Sequence, residues 1–268
     1  MIYSGNLLKM KGLLNDQGKV EYFLNLNGEI HDIGYLTGRE VSLKWMGQIN
    51  CVHCGRKTNK SFAQGYCYPC FISLPQTDSC ILHPETCRAH EGISRDMEWS
   101  RVNCLTPHIV YLAMSPLPKV GVTRQSQIPV RWIDQGADAA IPLARTPDRF
   151  TAGIMEVSLK DHLSDKTNWR MMLTGQVPEA GRLIYEWERA GELAAGRFAE
   201  YLIDEPVVTT LEYPVREYPR KVKAINLDKD HDYKGILQGI RGQYMIFEGG
   251  DVINIRKYGG YLVEIEAK

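Results

Sequence analysis

HIVYLAMSPLPKVGVTRQ, residues 108–125, is the stretch whose reading decides the fold. Residues 109–113 are a short apolar run with β-branched and aromatic members, which predicts a buried strand. Ser115–Pro116–Leu117–Pro118 is turn chemistry, because each proline fixes φ and lacks an N–H donor. Residues 119–123 predict a second strand, so the pair forms a hairpin that brings Tyr111 near Lys119. Downstream, residues 125–140 predict a helix with Pro129 in its first turn, where a missing N–H does no harm. Arg131 sits on that helix, close to the strand ends. Glu156 follows in RFTAGIMEVSLKDHLSDKTNWR (149–170), another segment with apolar residues at helical spacing.

A Tyr, a Lys, an Arg and a Glu gathered this way suit phosphodiester cleavage. The carboxylate of Glu156 can hold a hard cation, Mg²⁺ or Mn²⁺. The Arg131 guanidinium can neutralise developing phosphate charge. Tyr111 or Lys119 can handle the proton of an attacking water. On these residues the sequence resembles the GIY-YIG endonuclease superfamily. Val110–Tyr111 stands at its first Tyr motif and Lys119–Val120–Gly121 where its second motif ends in Ile–Gly. Arg131, Glu156 and Asn168 stand where it carries its Arg, its metal-binding Glu and a late Asn. Lys119 replaces the usual second Tyr, a change that some members share. The resemblance implies a catalytic set of Tyr111, Lys119, Arg131, Glu156 and Asn168. The competing reading makes Tyr111 a core aromatic and Arg131 and Glu156 surface charges.

With 44% hydrophobic and 24% charged residues among 268, the composition is that of an ordinary globular protein of one to three domains. Lysine plus arginine balances aspartate plus glutamate at 32 each, so nucleic acid could be held only by a local basic patch. No apolar run is long enough to span a bilayer, and the start MIYSGNLLKMKGLL lacks the layout of a signal peptide. Seven cysteines, an odd number, in clustered CxxC spacings point to metal rather than disulfides, and so to the cytoplasm.

Residues 1–50 alternate apolar and polar side chains. Residues 20–26 lead into Asn27–Gly28, a hairpin turn, and 29–33 and 40–45 predict further strands. EYFLNLNGEIHDIGYLTGREVSL (21–43) aligns without a gap to QYMIFEGGDVINIRKYGGYLVEI (243–265). Tyr22, Gly28, Ile33, Gly38 and Val41 meet Tyr244, Gly250, Ile255, Gly260 and Val263, which predicts an internal duplication placing similar β modules at both ends.

Cys51–Val–His–Cys54 and Cys67–Tyr–Pro–Cys70 are two CxxC knuckles that can place four thiolates around one Zn²⁺. Such a closed site holds structure and does no chemistry, and can supply on the order of 10 kcal/mol to folding. A redox role would require a strand-to-helix context that is missing here. Cys80, His83, Cys87, His90 and Cys104 offer a second zinc; the preferred set is Cys80, Cys87, His90 and Cys104, with His83 as the alternative imidazole. The other reading makes these cysteines buried apolar residues and the histidines exposed ones.

Residues 179–202 predict the longest helix, broken or kinked at Gly191 and Gly196, and 207–211 a strand. Arg145, Arg149, Lys160, Lys166 and Arg170 are read first as a solvated charged face and are compatible with a phosphate-tracking groove, and Thr167–Asn168–Trp169–Arg170 could stack a base, although a core role for Trp169 is preferred. Arg216, Arg220, Lys221 and Lys223 interleave with Tyr213 and Tyr218, a pattern compatible with single-stranded nucleic acid and equally with an exposed edge strand.

The order of β segment, CxxC…CxxC, Cys…PE…Cys, VYL…KVG, TNWR and a β tail with GQY is similar to the family called domain of unknown function 2797. That resemblance spans nearly the whole chain and implies a cysteine near the place of Ser94. The expectation is an α+β protein in five segments: a β module (1–50), a zinc-ribbon-like region (51–104), a GIY-YIG-like α/β core (105–175), a packing helix (176–205) and a second β module (206–268). The expected function is a divalent-metal-dependent nucleic-acid phosphodiesterase with one or two structural zinc ions. The alternatives are a non-catalytic zinc-stabilised DNA- or RNA-binding protein and a protein-interaction adaptor.

Overall fold

Strands outnumber α-helices among the described residues, and in several strands burial alternates with period two, as in Tyr261–Ala267, whose side chains alternate buried and half-buried. The computed structural model describes residues 1–163, 168–176, 178–179 and 181–268. In chain order the elements begin β1 (Ile2–Asn6), β2 (Lys11–Leu14), β3 (Val20–Leu26), β4 (Glu29–Asp32), β5 (Glu40–Asn50), β6 (Lys57–Thr58) and α1 (Tyr68–Ser73). The middle holds α2 (Met97–Asn103), β7 (His108–Met114), β8 (Pro118–Arg124), α3 (Val130–Asp134), β9 (Ala139–Thr146), α4 (Arg149–Lys160), α5 (Trp169–Leu173) and α6 (Arg182–Phe198). The remainder is β10 (Thr209–Thr210), β11 (Lys223–Ala224), β12 (Asp232–Arg241), β13 (Tyr244–Phe247), β14 (Asp251–Asn254) and β15 (Tyr261–Ala267). The chain divides into two compact units whose bounds cut across the expected segments 51–104, 105–175 and 206–268, giving a mixed α+β protein.

The first unit comprises Met1–Ile72, Trp169–Gly175 and Glu212–Lys268. Its main sheet runs β1-β15-β5-β12-β13-β14-β11, with β6 attached to β5, and a smaller sheet runs β2-β3-β4. The two chain ends are built alike. β5 and β15 are antiparallel neighbours, and Leu43 pairs with Ile265, the residue it meets in the gapless sequence alignment. Equivalent strands therefore lie about a local two-fold axis. The same symmetry governs the next strands out, since Ile2 opposite Glu266 on one side corresponds to Asp232 opposite Lys44 on the other. One difference breaks it. β12 runs unbroken from β5 to β13, whereas its counterpart is split into β1 and β2 by residues 7–10, where Leu7 and Met10 plunge into the core. Trp169 packs among Met172, Leu173, Ile246 and Val252, a core role.

The second unit comprises Ser73–Asn168 and Gln176–Leu211. The hairpin β7–β8 forms with Tyr111 opposite Gly121 and Ala113 opposite Lys119. One face of its sheet, β10-β9-β7-β8, offers Val110, Leu112, Met114 and Val120 to Ala152, Met155, Ala190 and Phe198 of α4 and α6. Tyr111, Ala113, Lys119 and Gly121 occupy the opposite face by the same alternation.

Three expectations are corrected here. The helix expected over 125–140 contracts to α3, because Gly136 turns into the left-handed region (φ +66°) and the chain leaves the helix there. The residues from Ala139 onward form β9 instead, with Pro142 at a register shift of the β7–β9 ladder, where a missing donor is tolerated. α6 runs without interruption through Gly191 and Gly196, and the strand expected over 207–211 contracts to β10.

Candidate functional site

The first cysteine cluster grows from the end of β5. β6 folds back on Ile49 and Asn50, and Cys51 N–H donates to the Arg56 carbonyl at 2.8 Å. Gly55, at φ +71°, lets the knuckle close with its N–H on the Cys51 carbonyl at 2.9 Å. The second knuckle follows the Phe62–Tyr66 bridge and enters α1, where Phe71 N–H reaches the Cys67 carbonyl at 2.9 Å. The Sγ atoms of Cys51, Cys54, Cys67 and Cys70 all lie within 4.8 Å of one another, Cys54 and Cys67 at 3.7 Å. A tetrahedron with Zn–S bonds of about 2.3 Å has edges of about 3.8 Å, so the donor set fits a zinc ion. Burial raises the Cys51 pKa, but N–H groups of Cys54, Cys67 and His53 point at its sulfur and bring it down to about 6. A thiolate prepared by backbone donors is what a metal ligand requires.

The second cluster comprises Cys80, Cys87 and Cys104, whose Sγ atoms also lie within 4.8 Å of one another. Two short turns and a helix end aim them. Asp78 caps the turn holding Cys80, Cys87 ends the turn opened by Pro84, and Cys104 ends α2, whose start is capped by the Asp96 carboxylate accepting from Trp99 N–H at 2.9 Å. The Cys80 and Cys87 thiols and the Arg149 charge hold Cys104 well below the ordinary thiol range, while Cys80 is pushed up. Together the two clusters can hold one or two structural Zn²⁺ ions.

Neither histidine belongs to the group of mutually facing ligand atoms among the described residues. The His90 ring stacks on Phe150 at 4.2 Å, with Nε2 3.6 Å from Glu91. His83 is exposed, with Nδ1 3.4 Å from Glu85. Ser94 turns its Oγ to Ser100 Oγ at 2.9 Å.

On the face of the second sheet that carries Tyr111 and Lys119 lie Trp132, Gln135 and Arg131, while Glu156 belongs to α4, which packs on the other face, and reaches Tyr111 through its charge. The Tyr111 ring lies across Gly121, where a Cβ would come within 2.7 Å of the phenol oxygen; this is why the second strand carries glycine at that position. Its hydroxyl donates to Gln135 Oε1 at 2.8 Å, and its ring meets Trp132 edge-on at 5.9 Å. Burial raises the Tyr111 pKa, the charge and hydrogen bond of Arg131 oppose the rise, and the Glu156 carboxylate adds to it. Lys119, only 3% exposed, is brought down to about 7 by burial, with the Arg131 charge adding to the shift. Glu156 is buried on α4 and pairs with Lys160 at 3.5 Å. Arg131 thus acts on both Tyr111 and Lys119, and Glu156 acts on Tyr111. Asn168 is exposed just before α5.

Of the basic residues expected around this group, Lys160 pairs with Glu156, while Arg149 and Arg170 go elsewhere. Arg149 is buried at the second cysteine cluster, where its guanidinium donates to the Asn103 carbonyl at 3.0 Å and the Cys80 carbonyl at 3.4 Å. Arg170 lies over the Trp169 ring at 4.3 Å. Lys166 and Thr167 lie outside the described residues. Gln135, the acceptor for Tyr111, and Arg149 at the cysteines are the two partners that the sequence reading did not assign. Neither has a local signal, since both contacts join distant segments.

A family model described as "Protein of unknown function (DUF2797)" matches residues 38–263. No curated protein and no solved structure matches the chain. No helix among the described residues is long and apolar enough to cross a membrane.

Proposed function

Because the chain belongs to the DUF2797 family, whose description carries no activity, we propose a function from geometry: a divalent-metal-dependent phosphodiesterase acting on DNA or RNA, with zinc-braced cysteine clusters. The observation that carries it is Lys119, buried with a pKa near 7 beside Arg131, which itself bonds to Tyr111. Strongly perturbed ionisable groups cluster at functional sites.

In this reading Lys119, substantially neutral at neutral pH, accepts the proton of the attacking water. Tyr111, its hydroxyl fixed by Gln135, orients that water. Arg131 meets the phosphate oxygens as their charge grows. A cation held by Glu156 would supply Lewis-acid stabilisation, and Asn168 is retained as an auxiliary contact. The topology supports the reading: the two strands bearing Val110–Tyr111 and Lys119–Gly121 are partners, with Tyr111 directly over Gly121.

A second reading, a zinc-stabilised nucleic-acid binder without catalysis, is favoured by the complete burial of Tyr111. Incubating the purified protein with plasmid, single-stranded DNA and structured RNA in Mg²⁺ or Mn²⁺, beside Glu156→Ala, separates the two. Cleavage by the wild type alone supports the nuclease. Cleavage that persists in the variant sinks it, and binding without cleavage selects the second reading.

A further inference from the structure

We propose that the Cys80–Cys87–Cys104 cluster is a three-thiolate metal centre whose fourth coordination position opens onto a cavity and takes a small exogenous thiol. The three cysteines line a cavity of about 380 Å³ together with Ser94, Trp99 and Ser100. That is roughly ten times the ~30 Å³ a water molecule occupies in the liquid, and lies in the size range of small-molecule sites. A closed four-ligand site such as the Cys51 cluster leaves no coordination position for a guest.

Three observations keep the fourth position from the protein. Three sulfurs form the facing set among the described residues. His90 is committed to Phe150, with its Nε2 beside Glu91. Ser94 and Ser100, on the cavity wall, bond to each other at 2.9 Å and are hydroxyls, weak ligands for a metal already softened by three thiolates.

Donor softness chooses the guest. Three thiolates around a divalent ion leave one net negative charge, which the buried Arg149 guanidinium offsets through its place beside Cys104. The cations on the cavity wall are already paired, Arg88 with Glu91 at 2.8 Å and Arg95 with Asp78 at 2.9 Å. Charge does not separate a thiolate from an oxygen anion there; donor softness does, since a metal bound by three thiolates prefers a soft sulfur to a hard oxygen. On binding, the thiol's S–H bond breaks, its proton goes to solvent, and a metal–sulfur bond replaces the metal–water bond. No electron moves.

The test uses the full chain loaded with Co²⁺ in both clusters, prepared with a phosphine reductant and titrated with 2-mercaptoethanol. We expect a saturable change in the cobalt ligand-field and sulfur-to-cobalt bands, with release of about one proton per chain. His90→Ala should keep both the metal and the response. Ser94→Cys places a thiol on the cavity wall and should abolish the response while retaining the metal. Inorganic phosphate should leave the spectrum unmoved. Cys80→Ser should lose the response while the Cys51 cluster keeps its cobalt, and if that variant does not fold the other variants decide. A wild-type spectrum indifferent to thiol, the same response in folded Cys80→Ser or in Ser94→Cys, loss of metal in His90→Ala, or a phosphate response as large as the thiol's would each overturn the proposal.

Discussion

Replacing Gly153 by alanine tests how tightly the second cysteine cluster is tied to the helix that carries Glu156. Gly153 lies in α4, and a Cβ built there would stand 2.2 Å from Glu85 N and 2.4 Å from the Pro84 carbonyl carbon. Both are backbone atoms of the turn between Cys80 and Cys87, so no side chain can swing aside to make room. Normal contact requires more than 3.4 Å, and the helix or the turn must therefore move by over 1 Å. Overpacking of this kind costs about 1–3 kcal/mol, against a helix-propensity gain of about 1 kcal/mol for Gly→Ala. With rigid backbone on both sides we expect a net loss of up to about 2 kcal/mol. Gly191→Ala and Gly196→Ala in α6 are the controls, since nothing lies within 4 Å of a Cβ at either position; each should gain about 0.5–1 kcal/mol. Urea unfolding followed by tryptophan fluorescence reads all three. If Gly153→Ala matched the controls, the packing of α4 on the cysteine turn would be refuted.

Two further outcomes follow from the ionisable groups. Lys119→Met should raise stability at pH 7 by about 1–3 kcal/mol while abolishing cleavage, the usual conflict between a buried functional charge and stability. Because the folded-state pKa of Lys119 is depressed to about 7 from 10.5, wild-type stability rises relative to the variant as pH climbs from 7 through 10.5 and levels off above that, where both states are neutral; a pH-independent difference would contradict this. Metal analysis should find one to two zinc atoms per chain, and chelation should unfold the Cys51 cluster, whose metal contributes on the order of 10 kcal/mol. A metal-free chain that folds normally would contradict the zinc assignment.

The hairpin around Ser115–Pro118 and the first CxxC pair set were legible in sequence because their signals are local: prolines in a turn and thiols at knuckle spacing. The likeness of the two chain ends was expected for a related reason, since turn glycines and alternating apolar residues repeat at one offset, and β5 and β15 pair at that register. β9 was not, because Ala139–Ala140 and Pro142 read poorly as strand and only the pairing with β7 makes them one. His90 illustrates the limit of spacing arguments, for the turn over Ala89–Glu91 carries its ring to Phe150, contact with a residue sixty positions on. Arg149 shows the same limit, since its positive charge suggested a phosphate groove and its burial beside Cys104 depends on how α4 begins.

Whether Tyr111 and Glu156 work as one catalytic unit is tested most directly by a double-mutant cycle on single-turnover cleavage in Mn²⁺. The account predicts that Tyr111→Phe and Glu156→Ala together cost no more than the worse of the two alone, as members of one constellation do. Losses that multiply independently, or a double variant that still cleaves like the wild type, would contradict it.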